Sequence, residues 1–388
     1  MKIAIYGGSF NPPHLGHVEA ALSVCQELRP ERFLIIPDNI PPHKDMAEGS
    51  PTPEQRLALC ALAFQDVPGA VISDMELKRQ GRSYTADTIA ELKAQYPEDE
   101  LLLVMGTDML LSFEQWYKFE YLLKSCTLAV LSREEGDRPA LKAHIARLEE
   151  QYGANIVLLE HEALPMQSTD VRELLRLRMG ADLLCDAVYE AIIQNGFYDA
   201  LPELSWLRRK AYAYLDDRRV GHVAGCESEA VRLAKFWGEL PERAATAGIL
   251  HDITKKLNFD EQLNLCHKYG IMLSDAEKQR PRILHAITGA ALAKDLFGVS
   301  DAIADAIRWH TTGKPDMTLL EKIVYLADYI EPTRDFPGVE EPRELAYKDL
   351  DKALALALKN TLDELRELGE EPFEATVEAY DWYTREYG

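Results

Sequence analysis

Over roughly the first 200 residues, short runs of Val, Ile and Leu alternate with longer stretches in which apolar positions recur every three or four residues. The runs at 2–6, 32–37, 70–77, 101–106, 127–132 and 155–160 predict strands, and the longer patterns, as at 53–64 and 84–96, predict helices. Strands apolar throughout, with helices between them, need cover on both faces, so the pattern predicts an α/β, doubly wound parallel sheet. Near residues 199–205 the alternation stops. Beyond it only Ala/Leu/Glu-rich helical patterns occur, punctuated at Gly238, Gly270, Gly298 and Gly313, which predicts an all-α bundle. Two domains are therefore expected, 1–200 and 204–388, as the length of 388 residues also suggests.

Charge and composition narrow the partners. The net charge is −22, and both halves are acidic, about −13 through residue 200 and about −9 after it. Nucleic acid and anionic membrane surfaces are therefore poor partners, and small anionic substrates must be met by local cations. No apolar run reaches the ~18 residues of a membrane span. Six cysteines stand singly, with no C-x-x-C pair, as in a reduced, cytoplasmic protein. The oligomeric state stays open, a homo-oligomer included.

Chemistry begins where the first strand ends. Gly7, Gly8, Ser9 and Phe10 lead through Asn11-Pro12-Pro13 to His14 and His17. Glycines let a backbone approach phosphates, and a helix starting near Pro13 would aim its free N–H groups at them. His14 and His17, three apart, would share one helix face. Neither a Gly-Lys-Ser phosphate loop nor a three-glycine dinucleotide pattern is present, which removes the kinase and dehydrogenase readings. Further along, Lys44 lies on a Pro-stiffened loop, Gly106-Thr107-Asp108 ends a strand, and Trp116-Tyr117 follow. Ser168, Thr169 and Arg172 open a helix as a second phosphate-binding end, Ser168 and Thr169 serving as its cap.

These residues resemble the nucleotidyltransferase superfamily with the His-x-Gly-His signature and, more narrowly, the nicotinate mononucleotide adenylyltransferases, over residues 1–198. The resemblance implies a Rossmann-like domain and transfer of AMP from ATP, accompanied by Mg2+, to nicotinate mononucleotide. By it His14 and His17 act on the ATP phosphates, Lys44 on the pyrophosphate, and Ser168, Thr169 and Arg172 on the triphosphate side. Thr85, Trp116 and Tyr117 hold the pyridine ring and its carboxylate, with Asp108 near a ribose. Met166-Gln167 departs from the usual Ile-Ser, implying altered packing with activity retained.

The second half offers a different set. His222, His251-Asp252, His285, His310 and Asp328 each sit in or beside an apolar stretch, and four of the five histidines after residue 200 belong to it. Asp328 interrupts an apolar run, where an unpaired buried carboxylate would be costly and a metal ion would satisfy it. The His/Asp set suits a borderline transition metal, and no thiolates suggest a structural zinc knot. Together with Lys255, Thr311 and Arg334, the set resembles the HD-domain phosphohydrolases, and in particular the bacterial hydrolases that split diadenosine tetraphosphate symmetrically into two ADP, over residues 205–385. The resemblance implies a dinuclear centre, iron foremost with Mn or another divalent ion as alternatives, and Asp252 able to bridge. Lys255, one helical turn from His251, would face the polyphosphate, with Arg334 and Thr311 as further contacts. Other acceptors for the first half, such as phosphopantetheine or phosphocholine, stay open. So do ppGpp, a dNTP or a purely regulatory role for the second.

Overall fold

The computed structural model describes residues 1–40, 46–79, 81–132, 138–160, 164 and 166–387. Lys44 and its Pro-Pro-His-Lys motif lie outside the described residues. The chain divides into two compact units, Met1–Leu201 and Pro202–Gly388.

In chain order the first unit contains β1 (Lys2–Gly8), α1 (Leu15–Leu28), β2 (Arg32–Pro37), α2 (Pro53–Ala63), β3 (Ala70–Ile72), α3 (Thr85–Gln95) and β4 (Glu100–Gly106). It continues with α4 (Thr107–Leu111), α5 (Phe119–Ser125), β5 (Thr127–Leu131), α6 (Arg138–Tyr152), β6 (Ile156–Leu158), α7 (Ser168–Arg176) and α8 (Asp186–Asn195). The strands form one parallel sheet in the order β3-β2-β1-β4-β5-β6. Strand order reverses between β1 and β4, so a crevice opens above their carboxyl ends, where Gly7, Gly8 and Gly106 lie. Ile3, Ile5, Ile36, Leu103 and Val130 fill one face of the sheet beneath α3 and α6, while Ala4, Phe33, Ile35 and Ala129 are buried on the other. Each such aliphatic side chain contributes about 1.5–3 kcal/mol by leaving water.

Local chemistry sets the ends of the elements. Helix α2 starts with Thr52, whose hydroxyl accepts from the Gln55 amide, and Pro53 occupies the first turn. Helix α1 begins later than the sequence predicts, at Leu15, with His14 as its extended N-cap residue. Strand β3 stops at Ile72 instead of reaching 77, because Ser73-Asp74 start a turn that closes from the Lys78 amide to the Asp74 carbonyl at 3.1 Å. Helix α7 is capped by Gln167, not by Ser168 or Thr169, which already belong to its first turn.

The second unit is helical, with no strand among its described residues: α9 (Leu204–Tyr212), α10 (Asp217–Trp237), α11 (Pro241–Leu250), α12 (Phe259–Lys268), α13 (Asp275–Lys278) and α14 (Pro281–Phe297). Then follow α15 (Asp301–Trp309), α16 (Leu319–Ile330), α17 (Glu340–Leu345), α18 (Leu350–Glu367) and α19 (Glu374–Tyr387). Gly238 and Gly298 end α10 and α14 in the left-handed conformation that L side chains resist. No helix among the described residues is long and apolar enough to cross a membrane.

Helices α10 and α11 touch almost backbone to backbone. A Cβ at Gly248 would lie 2.8 Å from the Glu227 Cα, so only glycine admits this approach. The contact brings His251, the residue capping α11, against His222 of α10, their rings 5.3 Å apart. Gly248→Ala is therefore expected to destabilise the second unit by about 1–3 kcal/mol. Thermal unfolding should show a lower Tm, with metal binding reduced along with it.

Two candidate active sites

In the first unit, two cavities meet over the end of β1. One, of about 260 Å3, is lined by Asp38, Glu76, Thr85, Trp116 and Tyr117; the other, of about 270 Å3, by His14, His17, Asp108, Ser168 and Thr169. Gly7, Gly8 and Ser9 line both. Two ligands held in these cavities would thus face each other across a strip of backbone with almost no side chain.

His14 and His17 are stacked, with ring centroids 3.7 Å apart. The His14 amide donates to His17 Nδ1 at 3.2 Å. A neutral His17 so engaged carries its proton on Nε2, the nitrogen able to donate onward. Gly16 makes room for the neighbouring ring, since a Cβ there would lie 3.1 Å from His14 Nδ1 and 3.4 Å from Met166 Cβ. Met166, the departure noted in the sequence, thus packs over the histidine turn. Phe10 lies beneath, 5.1 Å from the His17 ring and 5.5 Å from Phe64 of the loop after α2.

In the other cavity, Trp116 rests on Phe113 of the core, with centroids 5.1 Å apart, and also lines the cavity wall. Trp116 therefore belongs to both the core and the cavity wall. Tyr84 and Tyr117 lie 4.9 Å apart beside it, and Thr85 opens α3. The 11-residue α3 presents its free amides here, an end that favours a negative group.

Arg172 is placed differently from its expected phosphate contact. It does not line the cavity; it donates to the Asn11 carbonyl at 2.6 Å and to Thr169 Oγ1 at 3.1 Å. Tyr198 and Ser50 grip the Asn11 side chain, each at 2.8 Å. A second buried guanidinium, Arg56 on α2, donates to the carbonyls of Ser9 at 2.6 Å, Asp38 at 2.7 Å and Asn39 at 3.2 Å, and to Asp38 Oδ1 at 3.0 Å. These arginines hold the loop that follows β1. Sequence reasoning missed Arg56, because one arginine in a helix of mixed polarity reads as a solvated residue.

In the second unit, all six predicted ligands converge. His251 and Asp252 lie just past the end of α11, in a run of turns rather than on a helix, yet Lys255 still reaches the site. Its ammonium lies 3.1 Å from His285 Nε2 and 4.0 Å from Asp252 Oδ1. Each histidine anchors its Nδ1: His251 on the Gly248 carbonyl at 2.8 Å, His285 on Arg282 at 2.7 Å, His310 on Ile307 at 2.6 Å, and His222 on the Glu331 carboxylate at 3.1 Å. An Nδ1–H donating outward leaves the lone pair of Nε2 pointing inward. The four Nε2 atoms accordingly pair off, His222 with His251 at 3.3 Å and His285 with His310 at 3.2 Å.

Asp252 lies between the two pairs. Its Oδ2 is 3.7 Å from His222 Nε2 and 3.4 Å from His251 Nε2; its Oδ1 is 3.2 Å from His285 Nε2 and 3.7 Å from His310 Nε2. Asp328 Oδ1 joins the first pair, 3.0 Å from His222 Nε2. Buried Asp252 Oδ1 makes no hydrogen bond although imidazoles surround it, as expected when the nearby nitrogens carry no proton. Burial pushes His285 down to about 4, which keeps its imidazole neutral near pH 7. Two groups of these buried N and O donors, His222 with His251 and Asp328, and His251 with Asp252 and His310, are spaced to hold a divalent metal ion.

Thr311 and Arg334 complete the surroundings. Thr311 Oγ1 lies 3.1 Å from His310 Nε2, and Arg334 donates to Asp328 Oδ1 at 2.7 Å. Both line a cavity of about 650 Å3 beside the cluster, as does Lys255. Sequence reasoning missed two residues here. Arg219 pairs with Asp252 Oδ2 at 3.2 Å, and Glu331, fully buried, also accepts from the Thr333 amide at 2.6 Å. Their spacing was the available signal, since Arg219 precedes His222 by three residues on α10 and Glu331 follows Asp328 by three.

Comparisons with known proteins follow the same division. Residues 5–174 match a family model described as cytidylyltransferase-like, and residues 219–333 match the HD domain. A Carboxydothermus hydrogenoformans protein named "Probable nicotinate-nucleotide adenylyltransferase" is 35% identical over 51% of this chain and 98% of its own length. The "Bis(5'-nucleosyl)-tetraphosphatase, symmetrical" of Bacillus subtilis is 42% identical over 43% of this chain and 90% of its own. A Mycoplasma genitalium protein spans both halves: "Probable nicotinate-nucleotide adenylyltransferase/Ap4A hydrolase", 28% identical over 92% of this chain and 97% of its own length.

Proposed function

The chain belongs, in its first half, to the nicotinate-nucleotide adenylyltransferases and, in its second, to the symmetrical bis(5'-nucleosyl)-tetraphosphatases, and on that premise we propose one enzyme with two reactions. The first unit transfers AMP from Mg-ATP to nicotinate mononucleotide, giving deamido-NAD and pyrophosphate. The second hydrolyses diadenosine tetraphosphate to two ADP.

For the first reaction the carrying observation is the pair of cavities sharing Gly7, Gly8 and Ser9. Nicotinate mononucleotide lies on the Trp116 side, with its ring against Trp116 and Tyr117 and its carboxylate at Thr85 and the N-terminus of α3. A phosphopantetheine arm offers no aromatic ring for that wall. ATP lies on the histidine side, with Ser168 and Thr169 at its phosphates and Asp108 at a ribose. The acceptor phosphate then attacks the α-phosphorus in line while pyrophosphate leaves, and His14 and His17 neutralise the charge that develops. Lys44 is assigned to the pyrophosphate on the family resemblance alone.

For the second reaction the carrying observation is Asp252, shared between two groups of imidazoles. His222, His251 and Asp328 would hold one metal ion and His285 and His310 the other, with the Asp252 carboxylate available to both. A metal pair bound there supplies a nucleophilic water at neutral pH and Lewis-acid stabilisation of a phosphoryl oxygen. Iron suits this borderline N/O set, with Mn or another divalent ion as the alternative. Lys255, Thr311 and Arg334 orient the polyphosphate. Glu331 fixes the ring of His222, and Arg219 the carboxylate of Asp252. Six free thiols support a reducing, cytoplasmic setting.

One purified preparation tests both reactions. With ATP and nicotinate mononucleotide it should yield deamido-NAD and pyrophosphate. With diadenosine tetraphosphate it should yield ADP alone, and elemental analysis should find about two metal ions per chain. AMP plus ATP as products, or one metal ion only, would sink the second assignment; preference for a different phosphate acceptor would sink the first.

A further inference from the structure

The ligands of the second unit rest on two kinds of support. His285 and His310 lean on the carbonyls of Arg282 and Ile307, each three residues back along the chain, so each brings its anchor with it. His222 has no such local anchor. Its Nδ1 turns to Glu331, which lies beyond the end of α16. Asp328, the neighbour of His222 in the cluster, is in turn gripped by Arg334, which donates to the Asp328 carbonyl at 3.0 Å as well as to Oδ1. Glu331 and Arg334 stand on one turn, closed by the Arg334 amide on the Glu331 carbonyl at 3.0 Å. A single bond of this kind, with a net value of about 1 kcal/mol, holds a turn only weakly.

Arg343 of α17 supplies what the turn lacks. Its Nε donates to the Ile330 carbonyl at 2.8 Å, and one Nη donates to the carbonyls of Glu331 at 2.9 Å and Arg334 at 2.6 Å. Ile330 ends α16, where carbonyls run out of helical amides, and a planar guanidinium can span several such acceptors at fixed angles. Helix α17 is fastened to α10, the helix of His222. Trp237 Nε1 donates to the Ala346 carbonyl at 2.8 Å, and the Tyr347 hydroxyl donates to Glu229 at 2.6 Å. Strut and ligand thus share one frame. We propose that Arg343 is a positioning residue for one part of the metal centre, setting His222 and Asp328 through Glu331 and Arg334 while leaving His285 and His310 unaffected. This rests on the metal-hydrolase reading above. A general loss of stability would weaken every ligand alike, whereas loss of this strut reaches only the group that contains His222 and Asp328.

Binding of Mn2+ to the metal-free full chain, followed by the EPR signal of the free ion, provides the test. The unaltered chain should take up about two ions. Arg343→Ala should bind one of them about 10-fold or more weakly and the other at its original affinity. The Mn2+ needed for half-maximal hydrolysis of diadenosine tetraphosphate should rise by a similar factor, with kcat at saturating Mn2+ largely kept. Arg343→Lys, which keeps a cation but not the planar fork, should show the same selective loss in smaller measure, and it serves if the alanine variant does not fold. Both ions weakened equally, or neither weakened while Tm falls, overturns the proposal and leaves the hydrolase standing. An unaltered chain that binds fewer than two ions and hydrolyses no diadenosine tetraphosphate overturns the hydrolase reading, and the role of Arg343 with it.

Discussion

Asp252→Asn is expected to abolish hydrolysis of diadenosine tetraphosphate while leaving deamido-NAD synthesis at its original rate. The substitution preserves side-chain shape but removes the negative charge that four imidazole nitrogens face, two on each carboxylate oxygen. An amide has one oxygen to offer, so it cannot serve both groups. The loss in kcat should exceed the ~10–100-fold that follows removal of an outer hydrogen-bond partner of a metal ligand. Glu331→Gln, which alters such an outer partner of His222, should fall within that smaller range. Metal content measured alongside should drop for Asp252→Asn. Hydrolysis at the original rate with full metal content would remove Asp252 from the centre.

His17→Ala should have the second large effect, on the other reaction. His17 Nδ1 is occupied by the His14 amide, so the ring is held with Nε2 as the donor toward the cavity that takes ATP. An interaction that strengthens as charge develops lowers kcat when removed, with little change in KM. A fall of about 10^2- to 10^3-fold in kcat is expected, comparable to the removal of one oxyanion donor elsewhere. His14 is less suited to this experiment, because it is buried under Gly16 and its substitution would disturb packing as well. An unchanged kcat with a raised KM for ATP would mean that His17 only binds the ground state.

Elements built from continuous apolar runs were legible in the sequence because their pattern has few rivals. The β2 bounds of Arg32–Pro37 coincide with the predicted 32–37, whereas β3 fell short where Ser73 and Asp74 could turn the chain. The six His/Asp residues of the second unit stood out because buried polar residues in apolar helices need a common explanation. Glu331 did not, since its partner His222 lies 109 positions away and its only local mark is the three-residue spacing from Asp328. The second tie of Arg172 was illegible for the same reason, since its acceptor is the Asn11 carbonyl, 161 positions earlier.

Arg56 extends the reach of the first site beyond its lining. One guanidinium on α2 joins the loop after β1 to the end of β2 through the carbonyls of Ser9, Asp38 and Asn39. Loss of Arg56 should therefore register as weakened substrate affinity in addition to any loss of stability. A genetic screen for NAD auxotrophy in cells that depend on this chain would be expected to recover lesions on that helix, among residues that no nucleotide touches.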